Sequence, residues 1–277
     1  MLEARNLHVA LPDRGRKPVF GQPPLIEILK DVSLSVAPGE TVGLVGESGS
    51  GKSTLARTLL RLYMPTAGTI LFEGRDITAL TEAELRPIRA RMQIVFQDSQ
   101  SALNPRLSIG TALAEPFLSY GRAKTSKEAL GLAAGLLERV GLSAAMASRY
   151  PHQLSGGQRQ RVGIARAIAL NPSLVVADEI VSGLDVSVQA QILDLLRTLK
   201  RETGMALVLI SHDLSVVRAL CERVVVMQHG RIVEAGTSES VFSAPQHPYT
   251  RKLLRAIPLP EVDPAWIDAV TLDEDSA

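Results

Sequence analysis

The chain has 277 residues, of which 45% are apolar and 21% are charged, and its 30 basic and 29 acidic side chains leave a formal net charge of +1. This composition excludes a wholly disordered chain, and the near-neutral charge gives no electrostatic footprint for general nucleic-acid binding. The single cysteine, Cys221, excludes an internal disulfide and a cysteine-based zinc or iron–sulfur site. The sequence contains no signal-peptide pattern and no apolar run of about 18 residues, so we expect any role at a membrane to depend on a partner.

The first 45 residues are predicted to form short strands separated by turns. Candidate strands lie at Leu7–Leu11, Val32–Val36 and Thr41–Val45, and the proline-rich, basic stretch 12–24 is typical of a surface loop. From Ser53 onward, leucines recur at the spacing of one helical face, which predicts an amphipathic helix.

The remaining chain alternates between strands and helices. Further strands are predicted at Thr69–Phe72, Met92–Phe96, Leu174–Ala177 and Ala206–Ile210. We expect a helical insert over about residues 98–160, in which Thr125 and Glu128 have the spacing of a capping box. This alternation predicts an α/β domain with a largely parallel sheet over residues 1–245, followed by a short C-terminal tail over 246–277.

A glycine-rich stretch follows the apolar strand Thr41–Val45 and opens the next helix. It reads Gly46-Glu47-Ser48-Gly49-Ser50-Gly51-Lys52-Ser53, which matches the phosphate-loop pattern G-x-x-x-x-G-K-[ST]. Its glycines allow successive backbone N–H groups to point inward around an anion, next to the positive end of a helix. Lys52 is expected to reach the β- and γ-phosphates of a nucleotide, and Ser53 to place its hydroxyl on Mg²⁺.

Two carboxylates, Asp178 and Glu179, follow the apolar run Leu174–Ala177. Ligands of an open α/β sheet bind at the carboxyl ends of its strands. Asp178 fits the role of orienting Mg²⁺, and Glu179 is placed to polarise an attacking water as a general base. A solvated strand end would explain an isolated Asp-Glu pair, but the phosphate loop upstream favours the functional interpretation.

The stretch Leu154-Ser155-Gly156-Gly157-Gln158 distinguishes this chain from other phosphate-loop proteins. It resembles the LSGGQ signature of the ATP-binding-cassette (ABC) ATPases, and Gln97, Asp185 and His212 stand in the order of that family's other motifs. The resemblance covers about residues 2–250. It implies an α/β fold with a P-loop (RecA-like), mostly parallel sheet core, an antiparallel β subdomain and an inserted α-helical subdomain.

The resemblance also implies the ligands, ATP and Mg²⁺, and the roles of individual residues. The implied ATP-binding residues are Gly46, Glu47, Ser48, Gly49, Ser50, Gly51, Lys52, Ser53 and Thr54. The implied contacts to ATP held by a partner subunit in a head-to-tail dimer are Ser155, Gly156, Gly157 and Gln158. The implied catalytic residues are Glu179, His212 and Gln97, and the implied Mg²⁺ contacts are Ser53, Gln97 and Asp178.

Two of these assignments can also be argued from the residues themselves. Ser155 and the glycines after it precede a helix, so a hydroxyl, free N–H groups and a helix dipole converge there as in the phosphate loop. His212, taken alone, is better interpreted as a buried core histidine, but its place after a strand reverses this preference and favours contact with the γ-phosphate. Asp185 is expected to lie in the loop that crosses the dimer interface.

Four stretches are similar to the ATPase subunits of bacterial oligopeptide, dipeptide and nickel importers. They are GESGSGKST at 46–54, SALNPR at 101–106, DVSVQAQIL at 185–193 and HPYT at 247–250. This similarity implies a subunit that hydrolyses ATP to energise import of peptides or similar small solutes, peripheral to the cytoplasmic face of the bacterial inner membrane. The implied partners are a second ABC ATPase subunit, two transmembrane permease subunits and, indirectly, a solute-binding protein, with no nucleic acid.

Two positions depart from the family pattern. Ile180 stands where proline usually follows the glutamate, and Leu11 stands where an aromatic residue usually stacks on adenine, with Phe20 as a nearby substitute. Two other functions are alternatives: a nucleotide-gated clamp on soluble partners, and an ABC protein of DNA repair or translation. The intact Lys52 and Glu179 argue against the first, and the near-neutral charge argues against the second. The solute, and the choice between a homodimer and a heterodimer, stay open.

Overall fold

Two β-sheets share one apolar core in the computed structural model, which describes residues 1–13, 21, 23–96 and 102–255. The described strands are β1 Leu2–Pro12, β2 Leu25–Val36, β3 Thr41–Val45, β4 Ala67–Phe72, β5 Arg75–Asp76, β6 Met92–Val95, β7 Leu174–Asp178, β8 Ala206–Ile210, β9 Arg223–Gln228 and β10 Arg231–Thr237. The described α-helices are α1 Lys52–Leu59, α2 Glu82–Arg89, α3 Ile109–Ser119, α4 Ser126–Arg139, α5 Gly156–Ile168, α6 Val186–Thr203, α7 Leu214–Leu220, α8 Ser238–Ser243 and α9 Pro248–Arg255. Within these ranges, none of the helices has the length and apolar character needed to cross a bilayer.

The larger sheet positions the candidate site. Its strand order is β10-β9-β3-β8-β7-β6, and neighbours pair in parallel except for β10 and β9. Strands β3, β7 and β8 are buried along their whole length, as expected for parallel strands rich in β-branched and aliphatic residues. Asp178 and Leu44 both lie opposite Ile210, so the carboxyl ends of these three strands meet at one edge.

The smaller sheet has the order β2-β1-β4-β5 and is antiparallel. Its first two strands, Leu2–Pro12 and Leu25–Val36, are longer than the predicted Leu7–Leu11 and Val32–Val36, and many of the added residues are exposed. Polar residues among the added positions, such as Glu3, Arg5 and Asn6 of β1, interrupt the apolar pattern that predicts a strand. In β1 the register with β2 shifts around Asn6, whose φ of 48° is left-handed.

The helix after the phosphate loop is shorter than the leucine spacing suggests. It ends at Leu59, the chain turns at Arg61 with a φ of 53°, and Leu62 is 43% exposed beyond the helix end. Helix α6 ends at Gly204, whose φ is 68°. Glycine adopts this left-handed conformation without the steric cost that other residues meet.

The described part of the expected insert is largely helical. Helices α3, α4 and the start of α5 lie there, and their buried faces join the apolar core on one side of the larger sheet. The hydroxyl of Thr125 accepts the Glu128 N–H at 3.2 Å, as predicted for a cap, but the Glu128 carboxylate accepts the N–H of Lys124 instead of that of Thr125. The cap therefore has one of the two predicted reciprocal bonds.

The segment expected to be a C-terminal tail begins with ordered structure. Helix α9 occupies Pro248–Arg255, and in it Tyr249 and Thr250 are 6% and 1% exposed. Tyr249 belongs to the same apolar core as the helical insert. This part of the chain is therefore packed against the rest of the protein.

Candidate functional site

The phosphate loop connects β3 to α1 and depends on glycine at two positions. Gly46 has a φ of 146°, and a Cβ added there would lie 2.2 Å from the carbonyl oxygen of Met227. Gly51, at the N-cap of α1, has a φ of 104°. Because any side chain would be strained at both positions, the loop requires glycine there to adopt this conformation.

The Lys52 side chain lies inside the loop. Its Nζ donates to the carbonyl oxygens of Gly46 and Glu47, each at 2.8 Å, and the residue is 6% exposed. Burial lowers the pKa of Lys52, whereas the nearby charges of Glu179 and Asp178 raise it. The ammonium group is thus held by backbone carbonyls at the position where the loop would surround a phosphate.

Ser53 and Asp178 bring two oxygen ligands together. The Ser53 hydroxyl donates to Oδ1 of Asp178 at 3.1 Å, and Asp178 is 2% exposed. Burial raises the pKa of Asp178, against the hydrogen bond from Ser53 and the charges of Arg57 and Lys52. No group of three or more His, Cys, Asp or Glu side chains able to hold a metal occurs among the described residues. A hydroxyl and one carboxylate nevertheless fit Mg²⁺, which usually takes its other ligands from water and substrate phosphates.

Glu179 and His212 meet at the same edge of the sheet. Glu179 has a left-handed φ of 49°, and its N–H donates to the carbonyl of Ile210 at 3.0 Å, which fixes its backbone beside the end of β8. Oε2 of Glu179 lies 3.6 Å from Nδ1 of His212. The His212 side chain is 62% exposed, so the interpretation of this residue as a buried core histidine is wrong.

The Ser155–Gln158 stretch forms the N-terminus of α5 and carries a complete capping box. The Ser155 hydroxyl accepts the N–H of Gln158 at 3.3 Å, and the Gln158 side chain accepts the N–H of Ser155 at 3.0 Å. Ser155 is exposed. This arrangement presents a hydroxyl at the positive end of a 13-residue helix, where an anion is favoured.

The two glycines of this stretch pack against the beginning of α6. A Cβ on Gly156 would lie 3.3 Å from Cδ2 of Leu184, and one on Gly157 would lie 2.5 Å from Cγ1 of Val188. Asp185 caps α6, because its carboxylate accepts the N–H of Val188 at 2.9 Å. The signature stretch and the Asp185 loop therefore form one packed unit, a relationship that the sequence analysis did not find.

The remaining predicted positions either lie outside the described residues or are those that depart from the family pattern. Gln97 and Phe20 lie outside the described residues. Leu11 is half-buried in β1 opposite Ile26. Ile180 is 2% exposed, so the side chain that replaces the usual proline is packed in the core. Tyr249 contacts the phosphate loop, a contact that was not predicted although the HPYT stretch at 247–250 is a visible signal for it.

Two family models match the chain. One, described as ABC transporter, matches residues 29–182, and the other, described as oligopeptide/dipeptide transporter, C-terminal region, matches residues 233–274. A probable peptide ABC transporter ATP-binding protein of Sinorhizobium fredii is 55% identical over 242 residues, which are 87% of this chain and 68% of that protein. A glutathione import ATP-binding protein of Escherichia coli O157:H7 is 49% identical over 250 residues, which are 90% of this chain but 40% of that protein.

Solved structures agree with the fold. An ATP-binding cassette solved as a dimer in a post-hydrolysis state, with ADP and Pi, superposes with a TM-score of 0.75 at 32% identity, covering 86% of this chain and 99% of the other. A component of an ABC transporter complex from Clostridium perfringens superposes with a TM-score of 0.73 at 26% identity, covering 93% and 95%. The two-sheet architecture with a helical insert is therefore that of an ATP-binding cassette.

Proposed function

The chain belongs to the ABC transporter family of ATPases, and we propose that it is the ATP-hydrolysing subunit that energises a membrane importer of peptides or similar small solutes. The observation that carries the proposal is the meeting of the phosphate loop, the Ser53–Asp178 pair and the Glu179–His212 pair at one edge of the larger sheet. Relatives named as peptide and glutathione import proteins support the class of solute.

Nucleotide binding is assigned to the phosphate loop. Apart from the N–H of Glu47, which donates to Tyr249, the backbone N–H groups of residues 46–54 surround the phosphates. Lys52 exchanges the carbonyl oxygens of Gly46 and Glu47 for phosphate oxygens. Ser53 and Asp178 would hold Mg²⁺, with Gln97 as a further proposed contact. When bound, Mg²⁺ neutralises the charge on the β- and γ-phosphate oxygens. Leu11 offers no aromatic ring for stacking, so this chain relies on the phosphates more than on the adenine.

Hydrolysis is assigned to the two residues that face each other across β7 and β8. Glu179 takes a proton from the attacking water as a general base, a role that requires hydrogen-bond reach of that water. His212, 3.6 Å away, orients the carboxylate and contacts the γ-phosphate. The hydrogen bond of the Glu179 N–H to Ile210 keeps the base in place, because it ties the left-handed residue to the neighbouring strand.

A second subunit completes each ATP site in this proposal. Ser155, Gly156, Gly157 and Gln158 would contact ATP held by the phosphate loop of the partner in a head-to-tail dimer. The exposed Ser155 hydroxyl supports this role, as does Val186, an apolar residue beside Asp185 that is 83% exposed. A related cassette was solved as a dimer with ADP and Pi, which supports a dimer for this chain as well.

We propose that the helical insert contacts the membrane partners. Leu107, Leu118, Leu130 and Leu132 are 38–43% exposed there and offer apolar contacts for two permease subunits. We place the chain at the cytoplasmic face of the inner membrane, as a peripheral subunit beside a second ATPase and indirectly a solute-binding protein.

A pull-down of the tagged chain from its native membranes in mild detergent, with mass spectrometry of the captured proteins, tests the transport assignment. We expect two multi-span proteins, and a second ABC ATPase if the dimer is heteromeric. The Lys52→Ala variant serves as a matched sample, since this change affects nucleotide binding and leaves the helical insert intact, so it should capture the same multi-span proteins. Recovery of soluble proteins alone would replace the importer with a nucleotide-gated clamp.

A further inference from the structure

The C-terminal stretch HPYT contacts the phosphate loop. The hydroxyl of Tyr249 accepts a hydrogen bond from the backbone N–H of Glu47, with 2.9 Å between nitrogen and oxygen. The two residues are 202 positions apart in the chain, and Glu47 is the second residue of the phosphate loop. A side chain of α9 thus holds a backbone group of the loop to which ATP binding is assigned.

The Tyr249 ring is fixed in position. The residue is 6% exposed and packs in the apolar core that also contains the helical insert. Its own N–H donates to Nδ1 of His247 at 3.2 Å. Pro248, at the first position of α9, has a backbone preset for a helix start. Burial raises the pKa of the Tyr249 hydroxyl, although the hydrogen bond from Glu47 opposes this effect. The hydroxyl therefore stays neutral at physiological pH and is held where it meets the loop.

The segment before α9 is anchored to β10. The Glu234 carboxylate accepts the N–H of Gln246 at 2.8 Å and that of His247 at 3.0 Å. Burial acts to raise the pKa of Glu234, but the hydrogen bonds from the N–H groups of Gln246 and His247 help to hold the pKa below its ordinary value. Glu234 stays charged, so it ties the turn that precedes Tyr249 to the edge strand of the larger sheet.

The bond to Glu47 lies on an open side of the loop. Next to it is a cavity of about 430 Å³, lined by Glu47, Gln228, His229, His247, Pro248, Tyr249 and Lys252. The loop is held elsewhere by the close approach of Gly46 to Met227 and by the Gly230 N–H, which donates to the Ser50 carbonyl at 3.0 Å. Tyr249 supplies the corresponding support for Glu47, where the loop borders the cavity.

We propose that Tyr249 is a positioning residue for ATP binding, because its hydroxyl holds the first turn of the phosphate loop in the arrangement that receives the phosphates. This inference rests on the proposed function. Without the hydroxyl, the Glu47 N–H faces the cavity, and ATP has to order the loop as it binds, which weakens affinity. The reaction at Glu179 is unaffected, since that residue is positioned by β7 and β8.

The test compares Tyr249→Phe with Tyr63→Phe in the full chain. Both changes remove one tyrosine hydroxyl that accepts a hydrogen bond, but the partner of Tyr63 is Arg57, at 3.3 Å, instead of the loop. We expect Tyr249→Phe to raise the KM for ATP and the Kd for ATP by about 2- to 12-fold, the effect of one neutral hydrogen bond. The kcat should change less than about twofold, and Tyr63→Phe should leave KM unchanged.

A second variant separates positioning from folding. Glu234→Ala removes the anchor of the turn, so we expect it to raise KM in the same direction, and the double variant to raise KM by less than the product of the two single effects. An unchanged KM in Tyr249→Phe, with a lowered unfolding midpoint, would reduce Tyr249 to a structural residue and overturn the inference. A wild-type chain that binds no ATP would overturn the proposed function and this inference together.

Discussion

The hydroxyl oxygen of Ser53 lies 3.1 Å from Oδ1 of Asp178, although 125 residues separate them in the chain. Ser53 belongs to the first turn of α1, and Asp178 is the last residue of β7. The bond exists because β3 and β7 both pair with β8, which brings the loop after β3 next to the end of β7. Sheet order, which local sequence does not encode, therefore builds the proposed Mg²⁺ site.

Replacing Asp178 with asparagine tests that site. The amide side chain would keep an oxygen that accepts the Ser53 hydroxyl but would lack the negative charge, so Asp178→Asn should fold and bind Mg²⁺ weakly. We expect ATP hydrolysis to fall by about 10²-fold, as for the loss of one preorganised electrostatic group. Titration of the rate with Mg²⁺ checks this, and an unaltered Mg²⁺ dependence would remove Asp178 from the metal site.

The close packing of Gly157 on Val188 predicts that a side chain at position 157 is not tolerated. Gly157→Ala should lower ATP hydrolysis and stability, because its Cβ would lie 2.5 Å from Cγ1 of Val188. Adding Val188→Ala removes the clashing methyl group and should restore part of both. Gly163→Ala is the matched control in the same helix, since its Cβ would lie 3.8 Å from Val95, an ordinary contact. Equal losses in Gly157→Ala with and without Val188→Ala would refute the steric explanation.

Cys221 gives a prediction about pH. Burial raises the pKa of this thiol from 9.0 to about 12. A group whose pKa is higher in the folded state contributes its full stabilisation below the unfolded pKa and loses it as the pH rises. Between about pH 9 and 11, the free energy of unfolding should therefore fall more steeply for the wild type than for Cys221→Ala, by up to about 1.4 kcal/mol per pH unit. Denaturant titrations at several pH values check this, and parallel curves would contradict it.

The site's local elements could be predicted from the sequence, because each depends on a short pattern. Strands β3 and β8 have the predicted bounds, and the phosphate loop, Asp178 and Glu179 follow continuous apolar runs. The full length of β1 could not be predicted, since its exposed positions carry polar residues and its register shifts near Asn6.

Contacts between distant segments could not be predicted from the sequence either. The packing of Gly157 on Val188 and the bond from Glu47 to Tyr249 depend on how helices and sheet are assembled. Neither leaves a periodic pattern, because the partners lie on different elements. Patterns could nominate His212 for the site, but only the structure places it 3.6 Å from Glu179 and on the surface.

The central claim is that Glu179 is the base of an ATPase, and Glu179→Gln tests it most directly. The amide keeps the shape of the side chain but cannot take a proton from water, so ATP binding should persist while turnover falls about 10²- to 10⁴-fold. The variant should also remain as an ATP-bound dimer in size-exclusion chromatography. Glu202→Gln, which alters an exposed carboxylate paired with Arg139, should hydrolyse ATP like the wild type. Undiminished turnover in Glu179→Gln would contradict the account.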